Sequence, residues 1–238
     1  MQIVCIVIHF YFIFNFHTMK AIRNILAGVI LLLFMQSGYS QEPTLKERVI
    51  TLQSQGKDTS SRLLRESAEI ISERLTYMSL LDFSITKDES KSALIITVKD
   101  TIGNELLKDI LTAPGKLNFY ENAGRNDSLV SIFGSKTTRE IIMEAHADFS
   151  NKEYPALCIT FKENLWETFK DATARNIDKP ITLMIDGKVY ASPRVNGEIP
   201  KGKITLTGSG FSKTQVRKLV AVISNGELPL KFILISVK

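Results

Sequence analysis

Four features of this sequence carry residue types capable of chemistry: His146, Cys158, the carboxylates, and the turn Gly208-Ser209-Gly210-Phe211-Ser212-Lys213-Thr214. His146 has Asp148 two residues away, which is neither the i,i+4 spacing of a helical metal pair nor a complete triad. No second His or Cys stands near it to complete a zinc site, so a surface histidine is the simpler reading. Glu163 and Glu167 lie one helical turn apart, as on any solvated helix face. The glycine turn resembles a phosphate-cradling loop, but that motif needs Gly directly before the Lys, where this chain has Ser212. A helix entry explains the same residues, with Ser212 and Gln215 as a capping box that satisfies free backbone donors. Cys158 falls in the strand-like run Ala156 to Phe161 and reads as a small buried hydrophobe. These spacings give no catalytic residue, no metal site, and no cofactor or nucleotide site. They point to a non-enzymatic binding module.

The elements that would position such a module are clearer. Ile181, Leu183 and Ile185 alternate with Thr182 and Met184, and Lys188 to Ala191 resumes the pattern after Asp186-Gly187. Asp-Gly suits a two-residue turn whose central residues need positive φ, so this stretch is a β-hairpin. Asp58 to Ser61 is a cluster of helix-capping residues. Leu64, Ala68, Ile71, Leu75 and Met78 follow it as one apolar stripe, with Arg62, Arg65, Glu66, Glu69, Glu73 and Arg74 assigned to the solvated faces. Val49 to Leu52, Phe83 to Ile85 and Ala93 to Val98 read as strands, preceded by a polar lead over Glu42 to Arg48. Leu106, Leu107, Ile110 and Leu111 mark a short helix, and Leu117 to Tyr120 a further strand. That order is the split βαβ plan. Thr138 to Ala145 reads as a helix, as do the stretch around Leu165, Phe169 and Ala172 and the stretch from Val216 to Ile223. Asn225-Gly226 supplies a left-handed C-cap, and Pro229 forbids continuation.

The chain has 238 residues and a formal net charge of +5, too mild to argue for a nucleic-acid partner. Lys20 and Arg23 precede the short apolar run Ile25 to Met35 and the small residues Gly38 and Ser40, the pattern of a secretory signal peptide over 19–40. A membrane-spanning helix needs about 20 apolar residues. Cleavage before Gln41 is therefore expected, with an uncleaved anchor in the inner membrane as the alternative. Residues 1–18 are almost wholly apolar, lack Lys and Arg, and end before Met19, the expected start. Cysteine occurs only at positions 5 and 158, so stability must come from apolar cores rather than disulfides.

Asp186-Gly187-Lys188-Val189, Ser192-Pro193-Arg194-Val195-Asn196, Ile204 to Gly208, and Asn225-Gly226-Glu227-Leu228-Pro229 occur in an order and spacing that resemble the large extracytoplasmic domain of the SecD family. Lys116 to Glu121 is similar to the strand that closes that domain's base. The resemblance implies an α+β fold of two subdomains. One is a ferredoxin-like βαββαβ base over 45–122, joined by a C-terminal strand over 230–238. The other is an α+β head over 123–229 that contains the hairpin. Asp186, Gly187, Ser192, Pro193, Asn225, Gly226 and Pro229 are then structural motif residues, and Tyr190 and Phe211 candidate polypeptide contacts. The expected partners are unfolded or emerging exported polypeptides and components of the Sec translocon, met in the periplasm. The family's later membrane helices and their proton-carrying groups are absent from the sequence, so a motor role is not expected. A cell-envelope protein using the same fold for an unrelated contact is the alternative.

Overall fold

Alternation of apolar and polar residues begins at Arg48, and a computed structural model of the protein turns it into a long first strand. The structure describes residues 45–56, 60–122, 128–208 and 210–238. The sequence readings over residues 1–44, including the leader and its cleavage site, lie outside them. Strand β1 (Lys46–Gln55) includes part of the expected polar lead. Its inward residues Arg48, Ile50, Leu52 and Ser54 are buried. Arg48 is not solvated, because it meets Asp100 and Asn104 and donates to the Ile102 carbonyl.

Helix α1 (Ser61–Tyr77) follows the capping cluster, with Leu64, Ile71 and Leu75 wholly buried. Strands β2 (Phe83–Asp88) and β3 (Ala93–Asp100) and helix α2 (Asn104–Thr112) complete the first run. The first sheet has the order β11-β1-β3-β2, with every neighbour antiparallel. Its closing strand is β11 (Lys231–Val237), which pairs with β1. The strand expected to close it from upstream, β4 (Leu117–Asn122), instead pairs with β8 (Ile181–Ile185) in another sheet. The sheet is thus completed by the C-terminal strand that the family resemblance, not local pattern, joins to this part of the chain, more than a hundred residues downstream of β4.

Between α2 and β11 the chain builds a second core from two sheets. One has the order β5-β4-β8-β9, where β5 is Leu129–Ser131 and β9 is Lys188–Ala191. The other has the order β10-β7-β6, where β6 is Ile142–Asp148, β7 is Ala156–Phe161 and β10 is Lys203–Leu206. Helix α3 spans only Thr138–Ile141, because Ile142 onward is drawn into pairing with β7. Tertiary pairing overrides the helix-like spacing here. Helices α4 (Trp166–Arg175) and α5 (Lys213–Ile223) cover the sheets. Ser212 accepts from the Gln215 amide at 3.1 Å, which is one half of the expected capping box. The full reciprocal box belongs to Thr137 and Glu140 at the start of α3.

Phe119, Phe133, Phe161 and Phe169 form the centre of this second core, in edge-to-face contacts with centroids 4.6–6.2 Å apart for all but one pair. The stacked exception, Phe133 on Phe169, lies at 5.9 Å. Such geometry adds about 0.5–1.5 kcal/mol per pair beyond area burial. A separate core of Ile50, Leu64, Ile71, Leu94, Ile96 and Ile110 lies under the first sheet. Helix α5 contributes to both, giving Ala221 to the first and Leu219, Val220 and Ile223 to the second.

Candidate peptide groove

The two sheets of the second core do not close on one another. A groove of about 520 Å³ opens between β10 and the segment that follows β9. Phe119, Phe169, Ile181 and Leu206 give it an apolar floor, while Arg194, Glu198 and Lys203 stand at its rim. One wall is Lys203–Leu206, the whole of β10, and no β7 residue lines the groove. The opening therefore lies on the free side of an edge strand.

Main-chain geometry sets what that edge offers. The Phe161 N–H donates to the Gly202 carbonyl at 2.8 Å. With the register Lys203 to Thr160 and Thr205 to Cys158, the alternation of an antiparallel ladder puts Ile204 and Leu206 in the bonded pairs. The N–H and C=O groups of Lys203 and Thr205 then point away from β7, toward the groove. An extended chain laid there would gain main-chain hydrogen bonds that do not depend on its sequence. The opposite edge of the same sheet is occupied. The Ala145 carbonyl of β6 accepts from the Tyr77 hydroxyl at 3.3 Å and from Ser224 Oγ at 3.4 Å.

The facing wall is fixed by its own bonds. Ile181 N–H donates to the Pro193 carbonyl at 3.1 Å, Val195 N–H to that of Lys179 at 2.9 Å, and Ile199 N–H to Thr173 Oγ1 at 2.9 Å. Glu121 braces the adjoining helix end. It accepts from Arg175 Nε at 2.9 Å and from Asn176, and the Arg175 guanidinium is the main cause holding its carboxyl below the ordinary Glu range.

The hairpin forms as the sequence indicated. Asp186 and Gly187 have φ of 52° and 75°, and the Asp186 carboxylate accepts from the amides of Gly115 and Lys116, each at 2.8 Å. Ser192 Oγ lies 2.8 Å from Thr182 Oγ1, and Pro193 lines the groove. Gly226 takes φ 86°, the Asn225 carbonyl accepts from Arg139, and Pro229 lies in the link to β11. The two aromatic candidates are not brought together at the groove. Phe211 is only 7 % exposed and packs in the second core, so its ring is a core contact. Tyr190 is half-buried beside Lys218, Leu219 and Asp109, on a different depression. Trp166 is tied down through Nε1 to the Phe161 carbonyl at 3.0 Å, and Tyr154 stands 49 % exposed away from the groove.

The chemistry-bearing residues are dispersed. His146 lies on the surface with Nδ1 3.5 Å from Glu144, and Glu167 pairs with Lys170 at 3.1 Å. Cys158 is half-buried rather than buried, 3.8 Å from Thr205 Oγ1 on the face shared with β10. Among the described residues no group of three or more His, Cys, Asp or Glu is placed to hold a metal ion, and no helix is long and apolar enough to cross a membrane. Sequence reasoning missed the groove-forming residues because an edge strand and its opposing wall are defined by pairing. The signal available was the short alternating run Ile204 to Thr207 beside a Gly/Pro-rich loop.

Fold and groove define an α+β module with two apolar cores, in which the sheets of the second core are built from chain that precedes the last strand of the first sheet. Residues 123–230 match the family model of the SecDF P1 head subdomain. The SecD protein translocase subunit of Acidaminococcus fermentans is 27 % identical over 168 residues, which cover 71 % of this chain and 38 % of that protein. Its counterpart in Dictyoglomus turgidum is 23 % identical, over 76 % of this chain and 43 % of its own length. The chain thus spans about two fifths of these relatives. A crystal structure of SecDF in its super-membrane-facing form superposes with a TM-score of 0.65 at 16 % identity, covering 92 % of this chain and 35 % of that one. A structure of SecDF described as a membrane component that enhances protein export gives 0.59 at 17 %, covering 80 % and 99 %. At these identities the structures speak for the fold alone. Model, relatives and fold point the same way: residues 123–230 are similar to the SecDF P1 head subdomain, and the described region has a fold similar to that of SecDF.

Proposed function

We propose that this chain serves protein translocation on the extracytoplasmic side of the membrane, by holding unfolded polypeptide in the groove beside β10. The observation that carries the reading is the combination of a free main-chain edge at Lys203 and Thr205 with an apolar floor at Phe119, Phe169, Ile181 and Leu206. Backbone bonding accepts any extended sequence, and the floor favours segments with apolar residues at alternate positions. That combination suits a chain not yet folded, whose apolar residues are still exposed. The relatives' names as protein translocase subunits support the setting. The domain reading follows: residues of the first sheet, closed by β11, form the ferredoxin-like base, and the head runs from β4 through α5. In this reading β4 belongs with the head rather than the base.

A photoreactive residue replacing Ile199 on the groove wall tests the reading. It is expected to crosslink to a reduced, unfolded polypeptide added to the protein, whereas the same residue at Leu81, 80 % exposed on the base, is not. Equal labelling at both positions would count against a groove-specific site. Capture of a folded translocon component at Ile199 with no capture of unfolded chain would favour the partner-binding alternative.

A further inference from the structure

Most of the groove's lining comes from one run of chain, residues 193–206, which forms the wall, turns, and returns as β10. Both ends of that turn are fixed. At the near end the Val195 N–H donates to the Lys179 carbonyl at 2.9 Å, and the Val195 carbonyl accepts from Asp178 N–H at 2.8 Å. At the far end Gly202 has φ 57°, and a Cβ there would run into the Trp166 ring. Glycine alone lets β10 begin against that indole. Between these ends lies a strap, residues 196–201, which is exposed except for half-buried Gly197 and Ile199. Among the described residues, one hydrogen bond ties the strap to the elements around it: Ile199 N–H donates to Thr173 Oγ1 at 2.9 Å.

Thr173 is 1 % exposed and lies one turn after Phe169 on α4. Its hydroxyl hydrogen is committed to its own helix, shared between the carbonyls of Phe169 at 3.0 Å and Lys170 at 2.9 Å. Toward the strap the oxygen can therefore only accept, and the Ile199 amide supplies the donor. The Ile199 side chain packs against the second core. Phe169 is part of the apolar floor, so one helix carries both the floor and the hold on the wall. A half-buried amide that loses its acceptor turns to water instead, which moves the strap off α4.

We propose that Thr173 is the positioning residue that sets the width of the groove: its hydroxyl latches the 196–201 strap to α4 and holds the wall at the spacing an added strand needs. This rests on the reading of the groove as a polypeptide site. A wall already held at that spacing spares a bound chain the cost of ordering it. With the latch gone, only a fraction of molecules present the groove at that width, and the apparent affinity falls by that fraction.

The test uses the whole protein. Thr173→Val keeps the shape and removes the acceptor, Thr173→Ala removes it without branching, and Thr173→Ser keeps it. In the free protein, the Val and Ala variants are expected to speed hydrogen exchange at the Ile199 amide about three- to tenfold, the range for one hydrogen bond. The Leu157 and Leu183 amides are expected to keep their protection, which separates release of the strap from unfolding. Titrated with a reduced, carboxymethylated polypeptide, the same two variants are expected to bind about three- to tenfold more weakly than the parent, and Thr173→Ser to bind as the parent does. Unchanged exchange at Ile199 would overturn the latch, whatever the groove holds. Faster exchange with undiminished binding would overturn its role in setting the groove. A parent that binds no unfolded polypeptide would overturn the groove reading itself, and exchange, measured without polypeptide, keeps that failure apart from failure of the latch.

Discussion

Charge identity alone misleads at the residue scale. Arg74 shares its helix with Arg62, Arg65 and Glu69, but unlike them it stands three residues after Ile71 and four before Met78, beside the apolar stripe, and only its charge assigned it to the solvated face. It is wholly buried because two chain segments, residues 110–114 and the end of α5, turn their carbonyls to it, an arrangement assembled from residues 36–148 positions away. Arg48 escaped notice for the same reason, since its partner Asp100 lies across a strand pair. Asp186 was legible, because an Asp-Gly corner is a local event. Its second use, as acceptor for Gly115 and Lys116, was not. Glu121 offers a measurable consequence. The Arg175 hydrogen bond depresses its folded pKa below the ordinary 4.5, with Asn176 assisting and burial opposing. The unfolded chain therefore takes up the proton at higher pH than the folded one. The stability this contributes is fully present above the ordinary Glu value and is lost as pH falls through the depressed value. Glu121→Gln is expected to flatten the fall in the urea midpoint between about pH 6 and pH 3. A variant with the parent's pH slope would show that Glu121 does not carry it.

At the scale of elements, strands and helices with strong periodicity were readable, and their partners were not. The stripe Leu64 to Met78 and the corner after Ile185 could be placed from sequence because their signals lie within one or two turns of chain. Leu117–Asn122 was correctly a strand but joined the wrong sheet, since Ile181–Ile185 recruits it from afar. The stretch after Thr138 reads as a helix from Ile141, Ile142 and Ala145, yet pairing with β7 takes it at Ile142. What the short α3 retains is a tether. Thr138 is buried, its hydroxyl donates to the Gly115 carbonyl at 2.7 Å and accepts from the Leu117 amide at 2.7 Å. Thr138→Val keeps the shape and leaves those two backbone groups unpaired. A loss of about 1–3 kcal/mol in denaturant unfolding is expected, whereas a loss below about 0.5 kcal/mol would mean that the tether is not needed.

For the whole molecule, the arrangement explains why one edge and not another is available. Two cores share helix α5, and the end of helix α1 meets the β6 edge through Tyr77. The β10 edge stays open over an apolar floor, and the wall opposite it is held by its own main-chain bonds. The family resemblance could be read from the order of short motifs spanning Ala68 to Phe232, and the matched head region agrees with it. The groove itself was beyond the sequence, because it exists only between segments that local pattern treats as unrelated.

Thr205→Pro tests this account most directly. The Thr205 amide points away from β7, so proline there removes no ladder bond within the sheet. It does remove the donor that an added strand would need. Binding of a reduced, unfolded polypeptide, measured by titration against the parent, is expected to weaken about tenfold or more, with the thermal midpoint nearly unchanged. Undiminished binding by a folded Thr205→Pro protein would contradict strand addition at β10.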